Sequence, residues 1–315
     1  MKPRILIVEP DRYPDRAKEI LHEAGELVFH DGSDLKRALP AIHAVVIRLR
    51  YLWNKDLLDA APDLKVIATA TTGLDHIDLE LAQARRIAVL SLKGETDFLK
   101  TITATAEHTW GLLLALLRHI PEAHQSVISR NWDRDQFFGR ELQGRTLGIV
   151  GLGRIGRMVA RYALAFGMKV IATDHSEKEW IDGVEKAASL ADLLPRIDIL
   201  SIHVPLTNEN EKLIGPKEFA ALKPGAVLLN TSRGAVLDEQ ALLANLKNGH
   251  LAGAALDVIQ DEYKTKSELR DKLIDYAATH SNLLLTPHLG GATHDSLQRV
   301  EIFMAEKLSR FLQTL

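Results

Sequence analysis

The sequence predicts an α/β chain of two doubly wound parallel-sheet domains. Short aliphatic runs recur along it and are apolar throughout rather than alternating, as strands buried on both faces of a parallel sheet are. Segments with helical spacing separate these runs. The alternation occurs twice, on either side of one strongly apolar helix.

The first set of runs covers residues 5–8, 44–47, 65–70 and 87–91, and the second covers 146–150, 169–173, 198–202, 226–230, 252–256 and 283–286. Residues 55–61, 155–166 and 239–248 have helical spacing. The dividing helix runs roughly from Thr105 to His119, and Pro121 is read as its end. Trp110, Leu112, Leu113, Leu114, Leu116 and Leu117 make it apolar almost all round, so it must be buried. A bridge between the two domains, burial against a second subunit and burial within one domain are all open.

At 315 residues the chain is long for one core and comfortable for two. A content of 46% hydrophobic and 26% charged residues excludes a disordered chain. With 39 basic and 42 acidic residues there is no cationic surplus to make nucleic acid or an anionic membrane the main partner. The absence of cysteine excludes disulfides, thiolate nucleophiles and cysteine metal sites; it fits a reducing cytoplasm, and no metal is expected. The first apolar run is too short for a secretory signal, and no run approaches the roughly 18 residues of a membrane span.

Residues 146–150 read as a strand, followed at once by Gly151, Gly153 and Gly156 in G-x-G-x-x-G spacing and then by an amphipathic helix. Asp174 follows the next strand, eighteen residues beyond Gly156. That context turns a weak motif into a strong dinucleotide fingerprint. Gly151 permits the tight turn, Gly153 lets backbone approach a pyrophosphate, and Gly156 allows close helix–strand packing. Arg154 and Ile155 open the helix, whose N-terminal N–H groups suit phosphate. Asp174 can accept hydrogen bonds from both adenosine ribose hydroxyls and would repel a 2′-phosphate, so NAD is favoured over NADP.

Three later strands each end in a polar group, at the edge where doubly wound sheets bind ligands. Arg233 follows the first, and its planar fork can grip a carboxylate and polarise a neighbouring keto oxygen. Asp257, Asp261 and Glu262 follow the second, and His288, after a proline, is placed for acid–base work at the third. On residue type alone, a surface arginine and a solvated acidic turn remain alternatives.

Together these segments resemble the D-isomer-specific 2-hydroxyacid dehydrogenases, a family that includes phosphoglycerate, D-lactate and glycerate/hydroxypyruvate dehydrogenases. The resemblance covers nearly the whole chain. It is carried by Gly73, Asp75, His76 and Asp78; by Ala106, Glu107, His108 and Thr109; by the glycine loop with Asp174; by His203, Pro205 and Thr207; by Asn230, Arg233 and Gly234; and by Asp257, Glu262, Pro287 and His288. It implies a Rossmann NAD-binding domain, residues 104–288, inserted into a flavodoxin-like substrate domain, residues 1–103 and 289–315, with a cleft that closes on ligand. It implies a catalytic set of Arg233, Glu262 and His288. In this set Arg233 holds the carboxylate and carbonyl of a small D-2-hydroxy or 2-keto acid, and Glu262 orients His288. Asp261 is then a decoy. His203, Pro205, Thr207, Thr231 and Asp257 would line the cofactor site, and the backbone of Thr72 and Gly73 would help bind the substrate carboxylate. A homodimer through the cofactor domain and the helix from Thr105 to His119 is expected.

The chain departs from the family where Tyr263 replaces a usual proline and a charged helical stretch runs from Lys264 to Ala278. Thr69 stands where phosphoglycerate enzymes often carry arginine, which speaks against that substrate. Arg48 and Arg50, one residue apart, would point the same way along an extended chain and recognise a second anionic group. Phe98 and Lys100, in a long link from Gly94 to Thr103, would reshape the cleft. The rival readings are an NADH-sensing, corepressor-like binding protein and a phosphite dehydrogenase on the same fold.

Overall fold

The computed structural model describes residues 2–175, 180–262 and 266–314. Tyr263 and Lys264, singled out in the sequence, lie outside the described residues. The chain divides into one compact unit of Met1–Ile102 with Thr293–Leu315, and a second of Thr103–Ala292.

The first unit contains β1 (Arg4–Ile7), β2 (Glu26–Phe29), β3 (Ala44–Ile47), β4 (Val66–Thr69) and β5 (Ala88–Leu90). All pairings are parallel, in the order β2-β1-β3-β4-β5, which is the flavodoxin-like winding. The second unit contains β6 (Thr146–Val150), β7 (Lys169–Thr173), β8 (Val184–Lys186), β9 (Ile199–Ile202), β10 (Ala226–Asn230), β11 (Leu251–Leu256) and β12 (Leu283–Leu285). Its order, β12-β11-β10-β9-β6-β7-β8, is parallel throughout and reverses between β6 and β9. That is the Rossmann winding with one further strand.

Each sheet carries a core on both faces. The central strands β3, β4, β9 and β10 are buried at every residue, which is why they read as unbroken apolar runs. The edge strands β2 and β8 give no such run, because Glu26, Phe29, Glu185 and Lys186 face solvent.

The apolar dividing helix is Ala104–Leu117. Its leucines and Trp110 pack with Leu147, Ile149 and Val159 inside the second unit, while Leu114 and Ala115 stay half-buried. Pro121 does not end it. His119, in a left-handed conformation with φ 51°, turns the chain, and Pro121 sits in the first turn of the next helix, Ile120–Ile128. Proline suits that position because the missing N–H would have no intrahelical acceptor there.

Phe98 stacks on Phe303 of the helix His294–Leu312 at a ring separation of 4.1 Å. Lys100 pairs with Asp97 on the surface at 2.7 Å. The charged stretch before β12 folds as the helix Glu268–Thr279, capped by Ser267 and anchored by buried Leu273 and Tyr276. Among the described residues no helix is long and apolar enough to cross a membrane.

Candidate active site

β6 ends at Val150, and Gly151 turns the chain with φ +91°. A side chain at Gly151 would meet the backbone oxygen of His203 at 2.6 Å, and one at Gly156 would collide with the oxygen of Gly151. The loop therefore lies tight on the sheet edge for want of these atoms. At Gly153, by contrast, an added Cβ meets nothing within 4 Å. Gly153 caps the helix Arg154–Ala165 without a side-chain bond, so the helix presents its first N–H groups, flanked by half-buried Arg154 and Ile155. Burial lowers the pKa of the Arg154 guanidinium.

Asp174 follows β7, and its Oδ2 accepts the Leu152 N–H at 2.6 Å, tying the acidic group to the glycine loop. The open space at Gly153, the helix N-terminus and this carboxylate fit the pyrophosphate and ribose of a dinucleotide. After β9, His203 shares a hydrogen bond of 2.8 Å between its Nε2 and buried Ser201. Burial pushes its pKa down to about 3, so the ring is neutral near pH 7. Pro205 and Thr207 follow in an exposed turn, where the Pro205 oxygen accepts from Asn210 at 3.0 Å.

Fully buried Asn230 ends β10 and builds the turn that presents Arg233. Its Nδ2 donates to the Arg233 oxygen at 2.9 Å, and its Oδ1 accepts from the Ser232 amide and hydroxyl at 3.0 and 2.7 Å. Within the same turn, the Thr231 hydroxyl lies 2.8 Å from that of Thr109. Thr109 spends its proton on the Thr105 oxygen, so Thr231 is the donor of this pair.

Asp257 ends β11 and is 2% exposed. Its carboxylate accepts from the Thr286 hydroxyl (2.6 Å), the amides of Leu289 (2.7 Å) and Gly290 (2.8 Å), and engages His108 Nε2 (3.1 Å). Burial alone would raise its pKa, but the bonds from His108, Thr286, Leu289 and Gly290 outweigh this and hold it below the usual carboxylate range. Asp257 thus clamps the segment that carries His288, a task in addition to the cofactor contact expected of it. His108 lies on the helix Ala104–Leu117. Its partners are 149 and 178 residues away, beyond any local signal.

His288 follows β12 with φ 56°, and its amide bonds to the Asp257 oxygen at 2.9 Å. Its Nδ1 lies 3.0 and 3.1 Å from the two carboxylate oxygens of Glu262. Glu262 and His288 remain 17% and 23% exposed, half-sheltered yet reachable. With Nδ1 held this way, a proton exchanged with a ligand passes through Nε2. Asp261 turns elsewhere and accepts from Ser267 at 3.3 Å.

In the first unit Arg48 is engaged by protein groups. Its Nε donates to the fully buried Glu301 at 2.7 Å, and its Nη1 donates to the Asp11 oxygen at 3.0 Å. β3 ends at Ile47, so Arg48 and Arg50 do not share one face of a strand. Arg50 is exposed. The amides of both residues donate to Glu9, each at 3.0 Å. Thr69 is fully buried and shares a hydrogen bond of 3.0 Å with Thr71, whose hydroxyl donates to the Gly73 oxygen at 2.8 Å. This shapes the loop of Thr72 and Gly73.

A model of the D-isomer specific 2-hydroxyacid dehydrogenase NAD-binding domain matches residues 110–290. The chain is 37% identical to the hydroxypyruvate reductase of Thermotoga maritima, over 94% of this chain and 92% of that one. The chain belongs to the D-isomer-specific 2-hydroxyacid dehydrogenase family. Its second unit is the family's NAD-binding domain. The glyoxylate reductase of Thermococcus litoralis is 42% identical over 86% of this chain and 80% of that one. The D-lactate dehydrogenase of Aquifex aeolicus, solved with NAD and lactic acid, superposes with a TM-score of 0.85 at 29% identity, covering 99% and 96% of the two chains. The chain spans about half the length of the curated phosphoglycerate dehydrogenases it matches, 53% of that from Bacillus subtilis. None of the relatives named here is a corepressor or a phosphite enzyme, and those readings are not carried forward.

Proposed function

We propose that this protein is an NAD-dependent oxidoreductase that interconverts a small D-2-hydroxy acid and its 2-keto acid. The observation that carries the reading is the Glu262 carboxylate set on Nδ1 of His288, at the edge of the sheet that also bears the glycine loop. Bound NAD(H) supplies or accepts the hydride. Gly151, Gly153, Gly156, Arg154 and Ile155 would hold its pyrophosphate, Asp174 its ribose, and His203, Pro205, Thr207, Thr231 and Asp257 would border it. Arg233 binds the substrate carboxylate and polarises the carbonyl. His288 gives a proton from Nε2 to the carbonyl oxygen during reduction and takes it back during oxidation, while Glu262 fixes the ring tautomer. Exposed Arg50 and the amides of Thr72 and Gly73, which have no acceptor among the described residues, are the remaining candidates for substrate binding.

The test is NADH and NADPH consumption with glyoxylate, hydroxypyruvate and pyruvate, with Arg50→Ala beside the wild type. Turnover with NADH on at least one of these acids is expected. Failure with all of them would remove the assignment.

The reading includes a cytoplasmic location and a homodimer. The contact would run through the cofactor domain from the half-buried Leu114 of the helix Ala104–Leu117 into the segment after it, where Ile128, Trp132 and Phe138 are 56%, 86% and 75% exposed. Sedimentation of Trp132→Asp should show a lighter species than wild type. An unchanged mass would place the contact elsewhere.

A further inference from the structure

We propose that Glu239 is a positioning residue for the Glu262–His288 pair, acting through the backbone of Gln260; the inference rests on the reading of that pair given above. Glu239 is the first residue of the helix Glu239–Lys247, a place where a carboxylate normally sits in water. Here it is 1% exposed. The helix does not need it as a cap, because the Asp238 side chain already accepts from the Ala241 amide. Instead, Glu239 Oε1 accepts the Gln260 N–H at 2.5 Å, two residues before Glu262.

A second contact fixes the same turn. A Cβ at Gly234 would collide with the carbonyl carbon of Ile259 and the nitrogen of Gln260, so that backbone lies directly on Gly234. Gly234 is the neighbour of Arg233. The turn bearing Glu262 is therefore laid against the turn bearing Arg233 and held there by Glu239. A loop seated only by packing could slide. The donor–acceptor bond at Gln260 sets the height of the turn just before Glu262, with the Asp261–Ser267 bond on its other side.

Holding the bond is costly. Burial, helped by the negative charges of Asp261, Glu262 and Asp238, raises the Glu239 pKa to about 7 against the opposing Gln260 N–H. Among the described residues its Oε2 is buried with no hydrogen-bond partner. A buried carboxylate that neither caps its helix nor satisfies both its oxygens is accounted for by the one backbone group it holds.

The experiment is steady-state kinetics and NADH binding on Glu239→Ala, Glu239→Gln, Glu262→Gln and the double variant of Glu239→Ala with Glu262→Gln. Glu239→Ala should lower kcat by about tenfold to a hundredfold with NADH affinity unchanged. Glu239→Gln keeps an acceptor and should stay within about threefold of wild type. In the Glu262→Gln background the alanine change should cause no further loss, since both act through one group. Should Glu239→Ala yield no folded protein, Glu239→Asp withdraws the acceptor by one methylene and takes its place. Wild-type kcat in Glu239→Ala, equal damage by glutamine and alanine, or losses that multiply in the double variant would each overturn the inference. Wild-type turnover in Glu262→Gln alone would overturn the reading beneath it instead.

Discussion

Glu9 and Glu262 both stand just beyond a strand at a carboxyl edge, and both engage two oxygens. Glu9 follows β1, and its oxygens take the amides of Arg48 and Arg50, closing a loop of the first unit. Glu262 follows β11, and its oxygens face one imidazole nitrogen of His288. The same contrast separates Arg48, ion-paired to buried Glu301, from Arg233, whose turn is built by Asn230 to carry it. The two units share a winding principle; Glu9 and Arg48 are spent on architecture in the first, whereas the second spends Asp257 on architecture and, in the function proposed above, Glu262 on presenting chemistry. A charged residue after a parallel strand is therefore a candidate, and its partner decides the role.

The comparison breaks most sharply at His288. His288→Ala should reduce turnover by roughly 10²–10⁴-fold with little change in NADH binding. Wild-type turnover would make the second edge as architectural as the first. Arg48→Gln should do the opposite. It strands the buried Glu301 carboxylate, whose pKa burial already raises against the opposition of Arg48, and should destabilise the first unit by about 3–5 kcal/mol in urea unfolding. A stable Arg48→Gln protein with altered substrate preference would return Arg48 to the binding site.

His203 tests whether the second edge spends a further group, beside Asp257, on architecture. Its folded pKa is depressed, so its contribution is full above pH 6.5 and is lost as pH falls from 6.5 towards about 3. Between pH 7 and pH 4 the wild type should lose about 2–3 kcal/mol more stability than His203→Asn. Equal losses in paired thermal unfolding curves would mean the ring is solvated. The smallest effect is expected at Asp174. Asp174→Ala should shift the NADH-to-NADPH preference towards NADPH by about tenfold, roughly 1.4 kcal/mol, and an unmoved ratio would leave Asp174 as a brace for Leu152 alone.

The strands of both cores were legible because burial on both faces leaves an unbroken apolar run, as in Val45 or Leu228. The edge strands β2 and β8 were not, since half their residues meet water. The glycine loop stands out by its local spacing, whereas Arg233, Glu262 and His288 are singled out as a set only by the resemblance to the family. The ion pair of Arg48 was not legible because its partner Glu301 stands 253 residues away. His108, Asn230 and Glu239 carried no role in the sequence for the same reason.

By itself the sequence determined the two parallel windings, the dinucleotide loop and which side chains could do acid–base work, because each depends on the order and chemistry of near neighbours. Only the tertiary structure decided which charges were spent inward. Whether Arg48, Asp257 or Glu239 faces a ligand or a neighbouring loop depends on donors and acceptors that folding brings in from distant segments, and a buried carboxylate answers to those rather than to its place in the chain.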